Sequence, residues 1–200
     1  KEETPRSTAS VMPSYVTQIR GTVASFQPDE NSVRLEDGKA LTYGSLVVAA
    51  GLKLDWAAIE GLEEALGRNG VTSNYRYDLA PYTWELVQKM RGEKAIFTQP
   101  PMPIKCAGAP QKAMYLSCST WMQVGKIKDI DVSFCNAGPV LFGCADYVPP
   151  LMEYVDRYGI NLDFGYNLVK VDGPNQIATF KVAKEGEDPR LVERKFDMLH

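Results

Sequence analysis

The sequence is poor in the residues that do most acid–base and metal chemistry. Its one histidine is the last residue, His200, and its four cysteines, Cys106, Cys118, Cys135 and Cys144, contain no C-x-x-C pair. A tetrahedral zinc site needs clustered Cys or His ligands, so no metal is expected. Ser-His-Asp and Cys-His catalysis are excluded by the same shortage, and His200 at a chain end is expected to be mobile. No apolar run approaches the roughly 18 residues of a membrane span, and "KEETPRSTAS" at the start lacks the apolar core of a signal peptide. With 22 Lys and Arg against 25 Asp and Glu, the net charge is -3, and no basic run is long enough to attract a polyanion. Nucleic acid is therefore not an expected partner.

At 200 residues and 44% hydrophobic, the chain has enough apolar material for one large domain or two small ones. Residues 21–52 read as β structure: "GTVASFQ" is a short strand, "NSVRLEDGKALTY" a hairpin turning at Asp37-Gly38, and "LVVAAG" a buried strand ending in glycine. Residues 53–93 carry two short amphipathic helices, "WAAIEGLEEAL" and "APYTWELVQKM", separated by the loop "GRNGVTSNYRYD", and read as a connector. From residue 94 the strands "KAIFTQP", "IDVSFCNAG" and "NLDFGYNLVKVDG" alternate with the helices "PQKAMYLSCSTWMQVG" and "ADYVPPLMEYVDRYGI". That alternation implies βαβ units and a parallel sheet. The close, "NQIATFKVAKEGEDPRLVERKFDML", is a second hairpin leading into a new strand.

The two hairpins form a weak repeat, "VRLEDGKALTYGSLVVAAG" and "ATFKVAKEGEDPRLVERKFDMLH". The second copy stops where "LVVAAG" would begin, so the chain is expected to be an internal piece of a longer protein. The predicted class is α/β: a Rossmann-like parallel sheet with β-meander insertions, from a two-dinucleotide-domain flavoprotein. Residues 1–52 would belong to its FAD-binding domain and residues 94–200 to a degenerate NAD-type domain.

An NAD site would place G-x-G-x-x-G after "KAIFT", so that glycines admit the pyrophosphate to a helix N-terminus. The chain has "QPPMPIKCAGAP" there. Proline has no N–H donor and carries a ring where phosphate would sit. The acidic ribose reader expected after the next strand is also missing, replaced by Cys135 and Asn136. Cys106 occupies the vacated position, beside Lys105 and shortly before a helix; both neighbours favour a thiolate, as a redox or nucleophilic cysteine needs. The alternative is a buried structural cysteine. Packing accounts for Cys118 on an apolar helix face and Cys135 inside a strand, whereas Cys144, in a loop after glycine, is open to either reading.

The stretches "IKCAGAPQKAMYLS", "SNYRYDLAPYTWELVQ" and "SLVVAAGLKLDWAAIEGL" together resemble the sulfide:quinone oxidoreductases, in particular their mitochondrial-like branch. The resemblance implies a flavoenzyme that oxidises sulfide and passes two electrons through FAD to a membrane quinone. It implies a redox role for Cys106 in "KCAGAP", with a second cysteine beyond this chain that none of the other three matches. It carries Val23 over as a backbone contact to the adenine, and Ala50 and Gly51 as the strand end beside the cofactor. It also implies peripheral membrane association through regions absent here, at a bacterial or mitochondrial inner membrane. An FAD-dependent NAD(P)H dehydrogenase or disulfide reductase is the competing enzyme class, and a noncatalytic module the competing reading of the isolated piece.

Overall fold

Glycines at positive φ and a regular alternation of apolar residues shape a chain that divides into two compact units, Lys1–Ala50 and Gly51–His200. The computed structural model describes residues 6–183 and 186–200. Residues 1–5, 184 and 185 lie outside the described residues.

The first unit holds a one-turn helix α1 (Thr8–Val11) and an antiparallel meander, β1 (Val23–Gln27), β2 (Ser32–Leu35) and β3 (Ala40–Thr42). Val33 and Leu35 are buried between their neighbours, and the β2–β3 turn forms where the Asp37-Gly38 pair predicts it, with Gly38 at φ 87°. The Lys39 amide donates to Asp37 Oδ1 at 2.9 Å, the local bond that makes Asp favourable in a turn. "LVVAAG" departs from expectation. Residues 46–51 form no strand, and Val47 and Val48 are 87% and 60% exposed. A strand needs a hydrogen-bonded neighbour, and none of the described strands lies beside this segment.

The second unit is built on a parallel sheet ordered β10-β4-β5-β6, with β4 Lys94–Gln99, β5 Asp131–Asn136, β6 Asn161–Phe164 and β10 Met198–Leu199. Its crossovers are α4 (Ala109–Gln123) and α5 (Val148–Tyr158). The period-2 geometry of a strand sends alternate side chains to opposite faces. Ala95, Phe97, Val132, Phe134 and Met198 enter a core with Met114, Cys118 and Trp121 of α4 and Val155 of α5. Ile96, Cys135 and Leu199 enter a second core with Leu168, Val171, Ala178 and Phe180. That second core is closed by the meander β7 (Tyr166–Asp172), β8 (Ile177–Val182) and β9 (Arg190–Lys195).

Two predicted elements divide at glycines. The continuous strand "NLDFGYNLVKVDG" is two strands in different sheets, because Gly165 at φ 74° turns the chain between β6 and β7. "WAAIEGLEEAL" is a 3-10 turn, Trp56–Ala58, and a single helical turn α2, Leu62–Ala65, because Glu60 pairs in parallel with Lys170 of β7. At Gly61, at φ 75°, a Cβ would stand 2.2 Å from the Val171 carbonyl oxygen. The second of the two predicted helices forms as α3, Ala80–Lys89.

Residues 67–78 are woven into the sheet of the second unit. Val71 pairs in parallel with Leu199, the Thr72 amide donates to the Leu199 carbonyl at 2.9 Å, and Val71, Thr72 and Ser73 are buried. His200 is likewise fixed, contrary to the expectation for a terminal residue. It is 8% exposed, its amide donates to the Ile96 carbonyl at 2.9 Å, and its ring lies 5.8 Å from that of Phe97.

Candidate functional site

The loop after β4 contains Pro100, Pro101 and Pro103, with a cis Met102–Pro103 bond, and runs to Gly108, which caps α4. The α4 N-terminus therefore follows a loop whose prolines offer no N–H groups to a phosphate. Cys106 sits in this loop with an exposed thiol beside exposed Lys105. Its carbonyl accepts from the Ala109 amide at 3.1 Å, opening the helix, and from Tyr75 Oη at 2.8 Å. Burial pushes the half-buried Tyr75 phenol up, so it is protonated and able to donate.

A cleft of about 440 Å³ lies within the second unit, lined among others by Trp56, Leu66, Val71, Pro103, Ile104 and Lys105. Leu199 and His200 line it as well, together with Tyr75 and Gln99. Its size and mainly apolar walls are those of a cofactor or small-molecule site. Gln99 Oε1 is buried with no hydrogen-bond partner, an acceptor left for a bound group carrying an N–H. A flat ring with one apolar edge and one polar edge bearing an N–H, as in the isoalloxazine of FAD, is compatible with this lining.

His200 Nε2 accepts from the Asn74 amide at 3.0 Å, so the neutral ring carries its proton on Nδ1. Burial lowers its pKa to about 4. His200 is thus a fixed neutral group at physiological pH and no general base.

The other cysteines divide by burial. Cys118 and Cys135 are buried, and desolvation pushes each thiol up to about 12. Cys144 is exposed. Asn136, where a ribose reader would stand, is fully buried and committed to its own loop: Nδ2 donates to the Val140 carbonyl and Oδ1 accepts from the Gly138 amide, both at 2.8 Å.

Of the residues carried over from the resemblance, Val23 and Ala50 belong to the first unit, where both are exposed. Gly51, at φ 75° and open on all sides, begins the second unit, and its successors Leu52 and Lys53 line the same cleft as Lys105. Ala50 and Gly51 therefore do not end a strand here. Gln99 and His200 carried no functional signal; Tyr75 and Trp56 lie in the stretches "SNYRYDLAPYTWELVQ" and "SLVVAAGLKLDWAAIEGL" that carry the resemblance, but nothing in the sequence singled them out.

A parallel βαβ sheet with a meander packed on one face, and a loop with three prolines where a dinucleotide-binding fold carries its glycines, defines a Rossmann-like α/β fold. No family model matches the chain. It is 35% identical over 195 residues to "Sulfide:quinone oxidoreductase, mitochondrial" of Mus musculus, covering 98% of this chain and 43% of that protein. To the protein of the same name from Dictyostelium discoideum it is 35% identical over 202 residues, covering 100% of this chain and 43% of the other. The crystal structure of the sulfide:quinone oxidoreductase from Aquifex aeolicus superposes with a TM-score of 0.66 at 19% identity, over 90% of this chain and 41% of that one, a likeness of fold. The chain is thus a relative, matched along its whole length, of the sulfide:quinone oxidoreductases, and it spans less than half the length of those curated relatives.

Proposed function

We propose that the chain is part of a longer flavoenzyme that oxidises sulfide to sulfane sulfur and delivers the electrons to a quinone, with Cys106 as its sulfur-handling residue. The observation that carries this reading is the exposed Cys106 on a proline-rich loop whose preceding residues, up to Lys105, line a cleft shared with Gln99.

In the proposed step, hydrosulfide attacks one sulfur of a bridge between Cys106 and a second cysteine outside this chain. The bridge S–S bond breaks, a new S–S bond forms to the incoming sulfur, and the other cysteine leaves as a thiolate with the electron pair. The proton of hydrosulfide stays on the persulfide. The incoming sulfur is oxidised by two electrons and the bridge is reduced by two. FAD, when bound, supplies a two-electron acceptor beside the cysteines and a route to quinone.

For that group, Trp56, Val71 and Leu199 provide apolar walls and Gln99 Oε1 accepts an edge N–H. The Val23 backbone is assigned to the adenine, and Ala50 and Gly51 to the cofactor's close approach; glycine at 51 leaves that side open. Lys105, exposed like Cys106, puts a cationic side chain at the adjacent position of the loop. The names of the relatives call them mitochondrial, which supports a mitochondrial location if the source is eukaryotic; peripheral association with the inner membrane, mitochondrial or bacterial, is part of the proposal. Among the described residues no helix is long and apolar enough to cross a membrane.

The test is Cys106→Ser and Cys106→Ala in the full-length protein. Both are expected to lose sulfide-dependent quinone reduction by on the order of 10³-fold or more, with flavin content unchanged. Normal turnover in either variant overturns the assignment, as does rapid reduction of the wild-type flavin by NADH.

A further inference from the structure

We propose that Tyr75 is a positioning residue for Cys106, its phenol holding the backbone of the cysteine loop so that the thiol keeps one direction beside the cleft. This rests on the reading of Cys106 above and assigns a role to a residue 31 positions away in sequence.

The loop between β4 and α4 is poorly supplied with backbone donors, since Pro100, Pro101 and Pro103 have none. Its anchoring near Cys106 falls on the carbonyl of that residue, which accepts from the Ala109 amide at 3.1 Å and from Tyr75 Oη at 2.8 Å. A carbonyl oxygen has two lone pairs, and both are used. The first bond is local and moves with the helix start. The second ties the loop to a distant segment.

That segment is itself held. The Thr72 amide donates to the Leu199 carbonyl at 2.9 Å and the Asn74 amide to His200 Nε2 at 3.0 Å. The Tyr75 amide donates to Ser73 Oγ at 3.3 Å. His200 in turn is clamped to β4, its carbonyl accepting from the Thr98 amide at 2.7 Å and from Thr98 Oγ1 at 3.1 Å. The path runs from β4 through His200, Asn74 and Tyr75 to Cys106 and closes on itself, since β4 leads directly into the cysteine loop. Tyr75 therefore presents its hydroxyl from a segment hydrogen-bonded to the sheet edge through Thr72 and Asn74.

The mechanical consequence lies in the torsions of Cys106. Orienting its carbonyl sets the backbone at that residue and with it the direction of the Cα–Cβ bond. A bridge to a second cysteine tolerates little error, because the two Cα atoms must come to about 4.4–6.8 Å of each other with a defined torsion about the S–S bond. A loop free to rotate would spend much of its time outside that range.

The experiment is Tyr75→Phe in the full-length flavoenzyme, with Cys106→Ser in parallel. Phenylalanine keeps the ring and removes the hydroxyl. Expected are an unchanged flavin content and thermal midpoint, an unchanged KM for quinone, and a kcat for sulfide-dependent quinone reduction lower by about ten- to a hundred-fold. Amide hydrogen exchange in a peptide covering residues 104–109 should rise several-fold. Wild-type kcat with wild-type exchange overturns the proposal. A fall in kcat with unchanged exchange overturns it too, because the loss then arises elsewhere, and so does a variant that loses flavin or thermal stability in proportion to its activity. If Cys106→Ser turns over normally, the reading of Cys106 fails on its own account, and the exchange measurement still decides whether Tyr75 holds the loop.

Discussion

The backbone amide of Asn74 donates to Nε2 of His200 across 126 positions of sequence at 3.0 Å, with the imidazole buried against Phe97. A proton on Nε2 would abolish this bond and place a charge in a desolvated site. The pKa is accordingly lowered from 6.5 to about 4. Between those values the unfolded chain binds the proton and the folded chain does not, so stability is complete above about pH 6.5 and is lost as pH falls toward 4. The loss expected over that window is about 3 kcal/mol. Urea unfolding at pH 7 and pH 4.5 measures it, and His200→Gln should flatten the dependence. Glu93 and Asp172, whose carboxyls are held low by N–H donors, act in a separate window below their ordinary values of 4.5 and 3.8.

The thiols should separate into two classes. Cys106 and Cys144 are exposed, whereas Cys118 and Cys135 are buried with pKa values near 12. A disulfide exchange reagent at pH 7.5 is expected to titrate the first pair in the native chain and all four only in denaturant. Labelling of Cys118 or Cys135 in the native chain at a rate comparable to the exposed pair would contradict their burial.

Gly165 is where the chain leaves the parallel sheet for the meander. A Cβ there would lie 2.2 Å from the Ala183 carbonyl oxygen, and φ is 74°. Gly165→Ala should destabilise by about 3 kcal/mol, combining backbone strain with displacement of the Ala183 amide, which donates to the Gly165 carbonyl at 3.0 Å. Gly186→Ala, at φ 79° with nothing near the added Cβ, should cost less. Equilibrium unfolding of the two variants checks the difference.

Arg194 bridges the two sheets of the second unit. Its guanidinium donates to Asp163 Oδ2 at 2.6 Å and to Cys135 Sγ at 3.7 Å, and it lies 4.6 Å from the centre of the Tyr166 ring. Arg194→Met leaves a half-buried carboxylate without its partner and should cost about 2 kcal/mol. The double variant with Asp163→Asn should recover part of that loss, because the stranded charge is gone. A double-mutant cycle by urea denaturation gives the coupling.

The βαβ core was legible because its signals are local. Phe97 lies in a short apolar run, Val132 and Phe134 in a strand alternation, α4 carries Pro110 in its first turn, and Asp37-Gly38 supplies its own turn chemistry. What could not be read were partnerships. "LVVAAG" has the composition of a buried strand, yet a strand exists only against a neighbour, and Val47 and Val48 stand exposed where none of the described strands pairs with them. "NLDFGYNLVKVDG" reads as one strand, and the close approach of Ala183 to Gly165 decides that it is two. His200 looks like a loose end by position and is held by Ile96, Thr98 and Asn74.

The site divides along the same line. The sequence by itself determined the chemistry on offer: a cysteine beside a lysine, ahead of a helix, on a loop whose prolines exclude a phosphate. Those properties follow from covalent structure and nearest neighbours, and no fold is needed to read them. Only the tertiary structure decided that Tyr75 donates to the Cys106 carbonyl, that His200 bonds the segment carrying Tyr75, and that Gln99, with a buried unpartnered oxygen, lines the same cleft as Tyr75. Hydrogen bonds between residues 31 and 126 positions apart depend on how the sheet brings its edges together, and geometry of that range leaves no periodic trace in a chain.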